Sequence, residues 1–204
     1  MPLSTREMGE KALVVKIGGS LLTRVPDLIP VLKASRRTLF IVPGGGIFAD
    51  AVRRIKVDDD AAHWMAIAAM EQYGWLLSSQ GLTVTAQLKI PSCTTVFLPY
   101  TCLKESDPLP HTWDITSDSI AAWVAGALHV DLLLLKSTDG ITGEDGLQEQ
   151  VSESMKTDVV DPFFISYVLE NKIHSTIING SDPERVRDFL KGVPVPGTII
   201  GTTF

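Results

Sequence analysis

The stretch Leu13–Leu22, LVVKIGGSLL, sets Lys16 two residues ahead of Gly18-Gly19-Ser20. A short apolar run leads into it, so the order is that of a buried strand ending in a tight turn beside a cation. Glycine lets an anion approach backbone N–H groups closely, and such a turn can cradle a phosphate. Alone, the ordinary reading of a strand and a glycine turn carries slightly more weight. Two later stretches repeat the arrangement: Gly44-Gly45-Gly46 follows TLFIV, and Gly140 and Gly143 follow DLLLLK. In open α/β sheets ligands gather at the carboxyl ends of strands, so these turns can converge on one site.

The pattern narrows the chemistry. GGGIFA matches the loose dinucleotide fingerprint. The acidic residue expected at the end of a second strand is missing, because Asp58–Asp60 falls between two helical patterns. A nicotinamide cofactor is therefore disfavoured. A Walker A loop is absent too, since Lys16 precedes its glycines. Phosphoryl transfer asks for cations and oriented N–H donors around the transferred group, more than for covalent chemistry. Lys16 with Gly18-Gly19 supplies these on one side. Gly44–Gly46 opens a helix whose N-terminus can hold a second anion. Asp118, after Asp114 and Thr116-Ser117, lies in the first turn of another expected helix. It is either a dipole-favoured surface carboxylate or a group orienting Lys16 or a metal.

The elements that must position these residues alternate along the chain. Strands are expected at Leu13–Ile17, Thr38–Val42, Leu82–Leu88, Thr94–Leu98, Asp131–Leu135 and Ser175–Ile178, with PVPGTII as a closing edge strand. Helices are expected over Pro26–Ser35, after Gly46, over Ala61–Ser79 behind an Asp58–Asp60 cap, from Thr116 or Ser117 to His129, over Phe163–Asn171, and from Asp182-Pro183. Residues 101–114 read as a surface excursion, and those before Lys11 as a loose tail. The run DLLLL is apolar on both faces, as suits a central strand covered on both sides. With 204 residues, 45% hydrophobic and 21% charged, the chain is expected to form one α/β domain, 1–204. Its architecture is a three-layer αβα sandwich with a mainly parallel central sheet.

Composition excludes other classes. A net charge of −6 argues against nucleic acid as a partner. No apolar run is long enough to span a bilayer, and the N-terminus MPLSTREMGEK lacks the apolar core of a signal peptide. Cys93 and Cys102 read as free thiols in a reducing cytoplasm. The histidines, His63, His111, His129 and His174, are scattered, so no metal site is expected.

Taken in order, VVKIGGS, VPGGG, DITSDSIAA, KSTDGIT and the closing GTII resemble the amino-acid kinase superfamily, which includes acetylglutamate, aspartate, carbamate, isopentenyl phosphate and bacterial uridylate kinases. The resemblance covers nearly the whole chain. It implies the superfamily's fold, ATP and Mg2+ as cofactors, and self-association into a homo-oligomer. It implies that Lys16 neutralises the phosphates being exchanged, that Gly18, Gly19 and Ser20 hold the nucleotide phosphates, and that Gly44, Gly45 and Gly46 hold the acceptor. Asp118 matches the aspartate that organises the catalytic lysines. Asp114, with Thr116 and Ser117, matches acceptor-contacting positions. Lys136, Thr138, Asp139, Gly140 and Gly143 match the loop around the adenosine and its phosphates. One departure matters: the second lysine that several members carry in a late GGM…K motif is missing. Lys136, Lys156 and Lys172 are the candidates to replace it.

More narrowly, AHWMAIAAMEQYG and WDITSDSIAAW resemble the small kinases of methanofuran-type cofactor synthesis. That implies a small phosphorylated acceptor, 5-(aminomethyl)-3-furanmethanol phosphate, converted to its diphosphate. A phosphate monoester loses its second proton near pH 6, so it needs no general base, and none is evident here. The aminomethyl cation would want a carboxylate and an aromatic face. Asp114 beside Trp113, or Asp60 near His63-Trp64, can supply these; core packing explains the tryptophans, and a locally satisfied helix residue explains His63, equally well. Arg24, Arg53 and Arg54 are candidates for the acceptor phosphate, with surface solvation expected for at least two. A uridylate-type kinase and a non-catalytic nucleotide-binding protein of the same fold are the alternatives.

Overall fold

The computed structural model of the protein describes residues 12–201; the tail expected before Lys11 lies outside them. An eight-stranded sheet carries the domain, in the order β3-β4-β2-β1-β5-β9-β10-β8. Its strands are β1 (Leu13–Ile17), β2 (Leu39–Pro43), β3 (Thr83–Thr85), β4 (Thr95–Phe97), β5 (Asp131–Lys136), β8 (Gln150–Val151), β9 (Ser175–Asn179) and β10 (Thr198–Ile200). β6 (Thr142–Gly143) and β7 (Gly146–Leu147) form a separate small hairpin. Every pairing from β3 through β9 is parallel, and β10 runs antiparallel to β9.

Side-chain alternation sorts the strands onto two cores. Val14, Phe40, Val42, Leu132 and Leu134 face one, with α5 (Ser117–Leu128) and α6 (Phe164–Glu170). Leu13, Val15, Ile17, Leu133 and Leu135 face the other, with α1 (Val25–Lys33) and α7 (Pro183–Leu190). Helices thus cover both faces, giving the expected three-layer sandwich. The long α3 (Asp59–Ser79) contributes Ile67 and Met70 to the first core and Tyr73 and Leu77 to the second. It starts where expected, because the Asp58 carboxylate accepts the Ala61 N–H at 2.7 Å. Among the described residues no helix is long and apolar enough to cross a membrane.

Three expectations are corrected. The polar excursion contains a helix, α4 (Tyr100–Ser106), because Leu103 reaches the core and Glu71 of α3 accepts the Tyr100 N–H at 2.9 Å. The closing strand is not at an edge: β10 sits between β9 and the two-residue β8, too short to be read by periodicity. Thr116 precedes α5 but does not cap it with its own side chain. Asp161, 45 residues on, accepts the Thr116 N–H and hydroxyl at 2.9 Å each. The same carboxylate takes the Ser119 N–H at 3.1 Å.

Candidate active site

The chain order reverses at β1, with β2 on one side and β5 on the other, which is where open α/β sheets bind ligands. Lys16 pairs in register with Leu134. Lys136, two residues further, therefore shares a face with Lys16, the face that α5 covers. Asp118 in the first turn of α5 points between them. Its Oδ1 lies 2.7 Å from the Lys16 Nζ, and its Oδ2 accepts from the Lys136 Nζ at 2.7 Å. All three side chains are nearly out of solvent, at 4% exposure for Lys16, 5% for Asp118 and 15% for Lys136.

Burial opposes ionisation of Asp118, but the charges and hydrogen bonds of Lys16 and Lys136 outweigh it and hold the carboxyl below its usual range. Burial, followed by the charge of Lys16, pushes the Lys136 ammonium down to about 8 against the pull of Asp118. Both oxygens of Asp118 are occupied by lysines, so this geometry favours the orienting role over a metal-binding one. It also separates the three candidates for the missing lysine. Lys136 joins the cluster, whereas Lys156 and Lys172 are exposed.

The glycine turns meet backbone to backbone above this pair. A Cβ on Gly19 would lie 2.3 Å from the Gly46 Cα, and one on Gly45 would lie 2.3 Å from the Ala49 Cβ. Two of the expected donors are already spent: the Gly18 N–H donates to the Leu135 carbonyl at 3.0 Å, and the Gly44 N–H to the Ile17 carbonyl at 2.9 Å. These bonds lock the turns to the sheet. The free donors lie one position on. Gly19 and Ser20 open a 3-10 turn (Gly19–Arg24), and Gly46 opens α2 (Gly46–Arg53). First-turn N–H groups have no partner within their own helix. Tyr73, buried in α3, donates its hydroxyl to the Gly18 carbonyl at 3.4 Å and braces the first turn from below.

A cavity of about 560 Å³ opens over these groups, a size suited to a small ligand. Lys16, Gly18, Gly19, Ser20, Gly45, Gly46, His63, Thr116, Ser117, Asp118 and Lys136 all line it. Trp113 and Arg53 wall it as well, the guanidinium carbon 5.0 Å from the ring centre. Of Arg24, Arg53 and Arg54, only Arg53 reaches the cavity. Burial, then the neighbouring His111, push His63 down to about 4, which makes it a weak base at neutral pH.

Other expected residues lie elsewhere. Gly44 is below the surface of the cavity, and Asp114 is exposed outside it. Thr138, Asp139, Gly140 and Gly143 follow Lys136 on the loop beyond the cavity. There Asp139 accepts from Asn179 at 2.9 Å and pairs with Arg185, and Gly140 packs where a Cβ would meet the Thr198 hydroxyl at 2.4 Å. Sequence reasoning missed Asp161, whose carboxylate anchors the turn that carries Asp118. It also missed Tyr73, Asp50 and Asp59, the last two on the cavity wall. No local signal marks Asp161 or Tyr73, since each acts across a long sequence separation.

A buried lysine–carboxylate–lysine cluster beneath two N–H-bearing turns, at the switch point of a parallel sheet, is an arrangement suited to holding phosphate groups. No family model matches the chain. It is 28% identical over 200 residues to a [5-(aminomethyl)furan-3-yl]methyl phosphate kinase of Methanocaldococcus jannaschii, covering 88% of this chain and 93% of the relative. A UMP kinase from Ureaplasma parvum has the same fold, with a TM-score of 0.70 at 20% identity over 95% of this chain and 100% of the other. A uridylate kinase from Archaeoglobus fulgidus gives 0.66 at 19% identity, covering 93% and 99%. An isopentenyl phosphate kinase gives 0.57 at 16%, covering 93% and 100%. The chain has the amino-acid kinase fold, and its similarity to these kinases supports a phosphotransferase.

Proposed function

We propose that this phosphotransferase moves the γ-phosphoryl group of Mg-ATP to [5-(aminomethyl)furan-3-yl]methyl phosphate, forming the diphosphate and ADP in a methanofuran-type cofactor pathway. The likeness to the Methanocaldococcus kinase supports the acceptor. The observation that carries the reaction type is the buried cluster of Lys16, Asp118 and Lys136 on the floor of the cavity. An acceptor phosphate oxygen attacks the γ-phosphorus, and the bond to the β–γ bridging oxygen breaks. Two cations positioned below the transferred group offset its charge, and Asp118 keeps them apart and aimed. Gly19, Ser20, Gly45 and Gly46 offer N–H donors to the flanking phosphates. Mg2+ enters with ATP as part of the substrate.

The acceptor fits the rest of the wall. A phosphate monoester needs no base, and His63 is a poor one. Arg53 suits the acceptor phosphate, while Asp59, Asp50 and the face of Trp113 suit an aminomethyl cation beside a flat ring. A cytoplasmic location and self-association, expected from the family, belong to the same proposal.

The test is ADP release with Mg-ATP against the furanmethyl phosphate, UMP, isopentenyl phosphate, acetylglutamate and carbamate. Phosphorus NMR distinguishes a diphosphate product from an acyl phosphate. Turnover confined to the furanmethyl phosphate is the expected result. Preference for UMP would replace the acceptor assignment, and ATP binding without turnover on any acceptor would overturn the reading as a kinase.

A further inference from the structure

Beside the acceptor end of the cavity, on its outer side, the fold gathers residues that the sequence scatters. His63 and His111 stack with ring centres 4.0 Å apart and planes 19° apart. The His111 Nε2 lies 2.9 Å from the Asp107 Oδ1, and its Nδ1 lies 2.6 Å from the Asp60 Oδ1. Trp64 stands edge-on to both rings, at 4.9 Å from His63 and 5.2 Å from His111. One ligating atom from each of His63, Asp107 and His111 lies within 4.8 Å of the other two.

We propose that His63, Asp107 and His111 bind one divalent transition-metal ion of the zinc class, with Asp60 orienting His111 from the outer shell. The donor chemistry matches: two imidazoles and one carboxylate are a common set for such an ion, with water as the fourth ligand. Bonds of about 2.0–2.1 Å hold tetrahedral ligands about 3.3 Å apart. Closing the observed spacing to that value takes a rotation of the His63 ring out of its stack. The Asp60 carboxylate on Nδ1 leaves Nε2 directed at Asp107, which is the carboxylate–histidine–metal order that fixes a ligating ring. Exposure of Asp60 and Asp107, at 81% and 54%, gives the ion an entry path.

The ion would tie α3 to the connection between α4 and α5. That connection continues into Thr112 and Trp113, which wall the cavity together with His63. The site therefore sets the spacing of the acceptor end without touching the transferred phosphoryl group. It is independent of the acceptor's identity.

Metal-stripped full-length protein is titrated with Co2+, without nucleotide or acceptor. The expected result is a visible d–d spectrum saturating at one ion per chain and abolished by added Zn2+. His111→Asn and Asp107→Asn should lose it, and Asp60→Asn should weaken binding about 10- to 100-fold. An absent or unsaturable spectrum, or unchanged affinity in folded His111→Asn, overturns the proposal. Where a variant does not fold, the wild type decides. Nitrogen-15 spectra of the histidine rings with Zn2+ must shift two of the four histidines, and loss of those shifts on adding a chelator identifies the ion. Shifts of no ring, or of His129 and His174 instead, overturn it.

Discussion

Lys136→Met removes one of the two buried cations and keeps most of the side-chain volume. Asp118 retains Lys16 at 2.7 Å, so it is not left unpaired. Breaking a buried pair outright costs about 3–5 kcal/mol, chiefly because a charge is stranded. Here no charge is stranded and Lys136 is itself penalised by burial, so the expected loss of stability is smaller, about 1–2 kcal/mol. The cost to the reaction is larger. Removing one preoriented donor from a developing charge lowers turnover about 10²- to 10³-fold, or about 2.7–4 kcal/mol. The assay is ADP release at saturating Mg-ATP and acceptor, with urea denaturation on the same samples. Lys156→Met and Lys172→Met, both at exposed positions, serve as comparisons and should leave turnover unchanged. Folded Lys136→Met turning over within about threefold of wild type, far short of the loss expected for a preoriented donor, would refute the assignment of Lys136 as the second lysine.

The pH profile tests the same residue. Lys136 is charged below about 8 and neutral above it, so kcat/KM should fall as pH rises through about 8, and Lys136→Arg should move that limb out of range. The sign for stability is opposite: between about 8 and 10.5 the unfolded lysine holds a proton that the folded one lacks, so this group favours the folded state increasingly as pH rises across that window, as denaturation at several pH values would register. Gly19→Ala would place a Cβ 2.3 Å from the Gly46 Cα; it should cost about 1–3 kcal/mol in stability, seen by thermal unfolding, and weaken ATP binding measured by calorimetry. Asp161→Ala strips the acceptor from the Thr116 and Ser119 donors. It should cost about 3 kcal/mol and lower kcat through misplaced Asp118, with Asp161→Asn recovering part of both.

The strands that carry the site were legible because their apolar runs end in chemistry. LVVKI and DLLLLK each deliver a lysine at the carboxyl end of a buried strand, and alternation puts both on one face. The start of α3 was legible from Asp58 for a similar reason, since a cap is a local device. What could not be read is what acts at a distance. Asp161 caps α5 from 45 residues away, and Glu71 caps α4 from 29. The two-residue β8 holds too few side chains to show a period. The glycine turns are legible as turns but not in their hydrogen bonding: Gly18 and Gly44 spend their N–H groups on the sheet. Only the register of β1 between β2 and β5 reveals that the free donors begin one residue later.

The same register explains why the cluster has three members. Lys16 and Lys136 emerge on one face of adjacent strands, so their ammonium groups are held close, each 2.7 Å from an oxygen of the same carboxylate. Two such cations repel, and burial together with the charge of Lys16 already lowers the pKa of the Lys136 ammonium. A neutral lysine would offset nothing on a phosphoryl group. The buried carboxylate of Asp118, fixed by the anchored first turn of α5, makes the doubly charged pair tolerable before substrate arrives. In the proposed reaction, anionic substrate would meet a floor already paired, and the lysines would need only to redirect part of their interaction upward. The three groups should therefore act as a unit: Asp118→Asn combined with Lys136→Met should lower turnover far less than the product of the single effects. Multiplicative losses in that cycle would mean that Asp118 serves the reaction by a route separate from the lysines.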